Sequence, residues 1–288
     1  MQNKKKYDRA TQDVGNIIGM EHVNVTVPDQ SLASTFYISG LGFTRDPYMM
    51  VGPGNMWVNV GQQQFHLPAR DPQVFRGHIG VVVPDLEMLQ TRLGRVQKRL
   101  TNTAFRWSAK RGHVAVTCPW GNQLRCHAPS PQFGSMTLGL PYIEMPVGPR
   151  TARGICHFYQ AVMQTPATVI QERGTAVAQV QVGRSQVLRF RETARAIPAY
   201  DGHHIAVYIT NFSAPHKFLK RHKLITQESD DHQYRFQAIV HPKTGKVLCE
   251  LEHEVRSLFH PMYERELVNR NADQSIFAYR KGQDTFAA

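Results

Sequence analysis

No apolar run in this 288-residue chain approaches the ~18 residues that a membrane-crossing helix needs. The N-terminal stretch carries Lys4, Lys5 and Lys6 but no apolar segment behind them, so a secretory leader is not expected and a cytoplasmic location is. Cysteine is scarce: Cys118, Cys126, Cys156 and Cys249 fall in no CxxC spacing, which argues against zinc-ribbon or dithiol chemistry and fits free thiols. Acidic residues are in the minority, 22 against 34 Lys and Arg, leaving a net charge of +12. That balance attracts anions. The basic residues are spread along the chain, however, and no RNA-recognition, zinc-finger or helix-turn-helix pattern is present, so nucleic acid is not an expected partner. Hydrophobic residues make up 41% of the chain, enough to build packed cores and to exclude wholesale disorder.

Four segments open alike. Glu21 to Asp29 reads EHVNVTVPD, Gly77 to Asp85 GHIGVVVPD, Pro141 to Pro149 PYIEMPVGP, and His203 to Asn211 HHIAVYITN. Each is an alternating strand that ends at a residue suited to start a helix, Pro149 being the weak one. Helical stretches follow. The clearest carries Leu86, Leu89, Leu93, Val96 and Leu100 in one apolar stripe. Strand-like runs broken by Gly61, Gly121-Asn122, Gly183 and Gly245 complete each unit. A strand-helix-strand-strand-strand unit thus repeats four times at a spacing of roughly 60 residues. The fold class expected is α+β, four βαβββ modules paired into two curled-sheet domains. The expected domains are a basic arm at 1–18, a first domain at 19–130, a second at 135–255 and a C-terminal tail at 256–288. The boundary falls where Pro, Ser and Gly cluster between Pro129 and Gly134. The tail is expected to dock in part through Phe259, Leu267, Phe277 and Tyr279.

Alternation splits each opening strand into two rows. Val23, Val25 and Val27 oppose His22, Asn24 and Thr26; Ile79, Val81 and Val83 oppose His78, Gly80 and Val82. Ile143, Met145 and Val147 oppose Tyr142, Glu144 and Pro146; Ile205, Val207 and Ile209 oppose His204, Ala206 and Tyr208. The aliphatic row takes the helix. The row headed by His22, His78, Tyr142 and His204 faces whatever the sheet curls around. On the closing strands, Gln64, His66 and Pro68 form one row, as do Gln123, Arg125 and His127, and Glu250 and Glu252, while the third unit leaves Leu188, Arg189 and Arg191 open.

The units resemble the βαβββ modules of the vicinal oxygen chelate superfamily, which includes glyoxalase I, fosfomycin-resistance proteins and type I extradiol dioxygenases. The resemblance rests on His22-Val to Val27-Pro-Asp29, Ala33, Phe36-Tyr37 and Leu41-Gly42, and again on His78 to Asp85 and Pro119-Trp-Gly-Asn122. It spans about residues 19 to 255, and four modules in one chain are most like the extradiol enzymes. It implies a divalent metal held at the heads of opening strands and on the closing strands: His22, His66, His78, Tyr142, Arg125, His204 and Glu250 stand at or near those positions. In the extradiol pattern the second half bears iron. Here that half offers His204 and Glu250, with Tyr142 where a histidine belongs, so a facial 2-His-1-carboxylate site is incomplete there. The first half offers three imidazoles, His22, His66 and His78, a set that suits zinc, copper, nickel or iron. Arg125 is no ligand; its fixed charge would hold an anionic substrate or oppose a metal.

The resemblance therefore implies a metal-dependent oxidoreductase or lyase acting on a catechol-like or α-hydroxycarbonyl small molecule. Fe(II) leads as the ion, with Zn, Ni or Mn as alternatives; Tyr142 and Arg125 stand as catalytic candidates. The second half is favoured as the metal-bearing one. The rival reading is a metal-free module that binds a small ligand or a partner in the same cup. A homo-oligomer is left open.

Overall fold

The structure is a computed structural model that describes residues 7–49 and 52–286. The first module runs through β1 (Ile17–Asn24), α1 (Gln30–Ala33, continued as a π-helical turn over Ser34–Gly40), β2 (Thr44–Arg45), β3 (Asn55–Val60) and β4 (Gln63–Pro68). The second comprises β5 (His78–Val82), α2 (Leu86–Val96), β6 (Arg106–Lys110), β7 (His113–Thr117) and β8 (Gln123–His127). The third comprises β9 (Tyr142–Val147), α3 (Ala152–Ala161), β10 (Ala167–Glu172), β11 (Thr175–Gly183) and β12 (Gln186–Glu192). The fourth comprises β13 (His204–Ile209), α4 (Ser213–Arg221), β14 (Ile225–Asp230), β15 (Gln233–Val240) and β16 (Val247–Arg256). The four-module reading of the sequence holds.

Helix starts follow from local chemistry. The Asp29 carboxylate accepts from the Ser31 and Leu32 amides at 2.7 and 2.9 Å, and Asp85 accepts from Glu87 and Met88 at 2.7 and 3.1 Å. Pro149 supplies no such cap, and Glu192 from β12 takes over by accepting from the Ala152 amide at 2.9 Å. The stripe on α2 is buried as its spacing requires: Leu89, Leu93 and Leu100 lose all exposure. Each such leucine contributes roughly 1.5–3 kcal/mol of burial.

The pairing of the modules differs from the expected one. One eight-stranded sheet has the order β14-β15-β16-β13-β1-β4-β3-β2, joining the first module to the fourth. The other has the order β10-β11-β12-β9-β5-β8-β7-β6, joining the second to the third. The two modules within 19–130 therefore do not share a sheet, and neither do the two within 135–255. Pro129–Gly134 links β8 to β9 within one sheet, and the two ends of the repeat region meet in the other. Opening strands form both seams. Val23 on β1 pairs antiparallel with Ile205 on β13, and Ile79 on β5 with Ile143 on β9, so each sheet closes through apolar opening strands. Gln186 ties the sheets together. Buried on β12, it donates to the Met20 and Leu140 carbonyls at 2.9 and 3.0 Å and accepts from the Met20 amide at 3.0 Å.

The tail docks, but by polar groups. Phe259, Phe277 and Tyr279 are exposed rather than anchored, and Leu267 is half-buried. The anchors are Asn269, which bonds both the amide and the carbonyl of Gly61, and Arg265, which reaches Asp46 at 2.7 Å. Asp46 is 1% exposed and also accepts from Gln64 at 3.0 Å. Burial works to raise its pKa, and Arg265 with the Tyr48 and Met49 amides outweighs that and holds the carboxyl below its usual range. Arg265→Ala leaves this carboxylate with amide partners only. A loss of about 1–3 kcal/mol is expected, read as a lower urea midpoint at unchanged slope.

Candidate functional site

The face of the first sheet opposite its helices brings three imidazoles together. A β-bulge in β1 decides part of this: Met20 pairs with Val207 and His22 with Ala206, so Glu21 is the extra residue and stands beside His22 on one face. Glu21 accepts from His22 Nδ1 at 2.5 Å. The partner strand places His204 directly opposite Asn24, and β4 places His66 beside Asn24 in parallel register. Ligand atoms of His22, His66 and His204 lie within 4.8 Å of one another. The His22 ring centroid is 5.8 Å from that of His66 and 5.7 Å from that of His204. Trp57 on β3 stacks on His66 at 3.9 Å and meets the edge of His22 at 5.0 Å.

Two carboxylates flank His204. Glu254 on β16 approaches His204 Nε2 at 3.5 Å, and Glu252 approaches His204 Nδ1 at 3.8 Å. Arg256 reaches Glu254 at 2.5 Å and Glu21 at 2.8 Å; Arg235 pairs with Glu254 as well and with Glu252 at 2.9 Å. Three carboxylates, Glu21, Glu252 and Glu254, thus meet two guanidinium groups beside the histidines. Burial pushes His66 down to about 2, helped by His22 and His204, and brings His204 down to about 4 against the pull of Glu254. For Glu254, burial acts to raise the pKa, and His204, His22, Arg256 and Arg235 together hold it far below the usual carboxylate range.

At neutral pH, then, His66 and His204 are neutral and Glu254 is ionised. The Nε2 atoms of both His22 and His204 are buried without a hydrogen-bond partner. A buried imidazole nitrogen without a partner on His22, and a second on His204 that faces only an ionised carboxylate, fit a divalent cation. His22 also shows the carboxylate-imidazole pairing that orients a metal ligand. His66 holds its nitrogens through Asn24 at 2.7 Å and Asn55 at 2.6 Å, so its ligation exchanges one amide for the ion.

The second sheet repeats the scaffold with different chemistry. Two residues beyond each strand head, the closing strand contributes one side chain: His66 opposite Asn24, Arg125 opposite Gly80, Arg189 opposite Glu144 and Glu254 opposite Ala206. The set His22, His66, His204 and Glu254 in one cup thus becomes His78, Arg125, Tyr142 and Arg189 in the other. Here Glu144 accepts from Arg189 at 2.8 Å and Arg191 at 2.8 Å, and Glu172 accepts from the same two arginines at 2.6 and 2.5 Å. The Tyr142 ring lies over Gly80, where a Cβ would come within 2.3 Å of it.

No protein-family model matches the sequence, and no curated protein does. Among solved structures, glyoxalase I from Zea mays superposes with a TM-score of 0.58 at 12% identity, over 83% of this chain and 92% of that one. A Bacillus subtilis protein provisionally named a dioxygenase gives 0.53 at 14% identity, over 84% and 86%. The chain has the four-module vicinal oxygen chelate fold. At these identities the likeness is one of fold.

Within this fold the residues singled out from the sequence divide between the cups. His22, His66 and His204 come together. His78, Tyr142 and Arg125 lie in the other sheet, so neither the first-half set His22, His66 and His78 nor a second-half site forms. Glu250 is not beside His204: β13 begins opposite Glu252, and the Glu250 side chain accepts from Gln237 at 2.7 Å instead. The missed residues are Glu254 and the bulged Glu21. Their signal was present, since the offset that relates His22 to His66 points to Glu254 once the register is known. His253, in the same polar run, belongs to the core, where it bonds the Tyr159 hydroxyl at 2.8 Å and stacks on Phe236.

Glu144 gives the second cup a measurable pH signature. Burial opposes ionisation, but hydrogen bonds from Arg191 and Arg189 bring its pKa down to about 2. A carboxyl with a depressed folded-state pKa contributes stability above its unfolded value of 4.5 and loses it as pH falls through 2. The stability difference between wild type and Glu144→Gln, measured by urea denaturation, should be full at neutral pH and shrink steadily below pH 4.5.

Proposed function

We propose that the first cup is a divalent-metal site and that the chain is a metal-dependent enzyme acting on a small molecule with adjacent oxygens. The observation that carries this reading is the meeting of three imidazoles, His22, His66 and His204, with the buried His22 Nε2 left without a partner and His204 Nε2 facing only Glu254 at 3.5 Å. His22, His66, His204 and Glu254 would hold the ion, a donor set that suits Zn(II), Ni(II) or Fe(II). A bound ion would supply Lewis acidity to the substrate's adjacent oxygens. Glu21, 2.5 Å from His22 Nδ1, orients the ring so that Nε2 is the atom offered to the ion. Trp57 and the stacked His66 ring form a flat wall for an apolar substrate face. Glu252, held by Arg235 and more exposed than Glu254, is the carboxylate free to take a proton from a substrate carbon.

Four protein donors exceed the three of a facial 2-His-1-carboxylate centre and leave less room for dioxygen beside a chelating substrate. Isomerase or lyase chemistry on an α-hydroxycarbonyl compound is therefore preferred to ring-opening oxygenation. Protein purified without a histidine tag should retain roughly one divalent ion per chain, as structural and catalytic sites of this donor type do. His22→Ala and His204→Ala should lose it, and His78→Ala should keep it. Glu21→Gln should weaken metal affinity by about 10–100-fold. Activity on an α-hydroxycarbonyl panel without oxygen uptake supports the chemistry. Equal metal content in all four variants contradicts the site.

A further inference from the structure

The second cup is a concave cleft of about 910 Å³, and its charge is opposite to that of the first. Arg125, Arg173, Arg184, Arg189 and Arg191 line it. Arg189 and Arg191 are taken up by Glu144 and Glu172. Among the described residues, Arg125, Arg173 and Arg184 have no carboxylate partner, so the cleft holds three uncompensated guanidinium groups. At the register position of the ligands His66 and Glu254 stand Arg125 and Arg189, whose fixed charges oppose a metal cation. The His78 ring, 8% exposed and lining the cleft, buries an Nε2 atom without a partner. Tyr142 adds a hydroxyl, 3.0 Å from His127 Nε2. Arg173 sits at the β10–β11 hairpin tip with φ 52°, a left-handed conformation that the adjacent Gly174 continues.

We propose that this cup binds a small-molecule dianion of the phosphate-monoester class, gripped by the Arg125 fork and bonded by Tyr142 and the free nitrogen of His78. Three unpaired cations call for more than one negative charge, and a planar guanidinium matches two oxygens of a phosphoryl group. The site is metal-free and independent of the histidine cluster in the other sheet. Its ligand is thus a second molecule or an effector rather than the substrate of the first cup.

Inorganic phosphate, titrated into the whole chain by calorimetry at physiological salt, is the direct probe, with acetate as the monoanion control. Phosphate should bind and acetate should not. Arg125→Gln, at an exposed position, should weaken phosphate at least 10-fold, about the 1.4 kcal/mol of one lost charge-assisted contact. Arg184→Gln, in the β11–β12 turn, gives a second readout should the first variant fold poorly, and should weaken binding in the same direction. His204→Ala, which empties the other cup, should leave phosphate binding unchanged. Phosphate binding that survives both arginine substitutions, acetate binding as tight as phosphate, or no binding in wild type would each overturn the proposal. A loss of binding in His204→Ala would place the anion in the first cup and do the same.

Discussion

The antiparallel seam between β1 and β13 is the contact on which the rest depends. It pairs the opening strand of the first module with that of the fourth, strands about 180 residues apart in sequence, a closure whose entropic cost the apolar rows on both strands must outweigh. Because side chains alternate at period two, a seam that buries Val23 against the helix layer must turn His22 and Asn24 to the other face, and Ile205 does the same for His204. Three consequences follow. The histidines of distant modules meet. The bulge at Glu21 can place a carboxylate next to His22 without disturbing the valine row. Finally, the closing strands β4 and β16 are carried to opposite flanks of the same cup, one with His66 and the other with Glu254.

The same architecture, applied to the second and third modules, yields a cup of the opposite character. Four equivalent positions hold two histidines, a third histidine and a glutamate in one sheet, and a histidine, a tyrosine and two arginines in the other. A scaffold that repeats a geometry leaves the chemistry to single side chains. An imidazole at the His66 position can share a lone pair with a cation; a guanidinium at the Arg125 position cannot. One plan therefore carries a histidine cluster in one sheet and an arginine-rich cleft in the other.

Much of this was legible in the sequence, and the parts that were not share one cause. The modules showed because alternation and the apolar stripe of α2 are local patterns. The faces showed as well, which is why His22, His66 and His204 could be singled out. Which module would pair with which did not show, since an apolar row such as Val23 to Val27 fits any other apolar row equally well. Proximity in sequence favours pairing the first module with the second and the third with the fourth, whereas the chain pairs the two outer modules and the two inner ones. The carboxylate slipped for the same reason. Glu250, Glu252 and Glu254 lie on one face of β16, and alternation identifies that face without fixing the height along it. The height comes from the parallel pairing of His204 with Glu252, a non-local register that no single strand records. The tail departs for another reason: its aromatics suggest apolar anchors, whereas buried Asp46 and the Gly61 backbone recruit Arg265 and Asn269.

The claim that two terminal modules share one metal cup is tested most directly by X-ray absorption at the metal edge of zinc-loaded protein. Three imidazole nitrogens with their outer-shell ring scattering, together with one carboxylate oxygen, are the coordination that His22, His66, His204 and Glu254 provide. A spectrum with a single imidazole, or with oxygen ligands alone, would contradict the interleaved site.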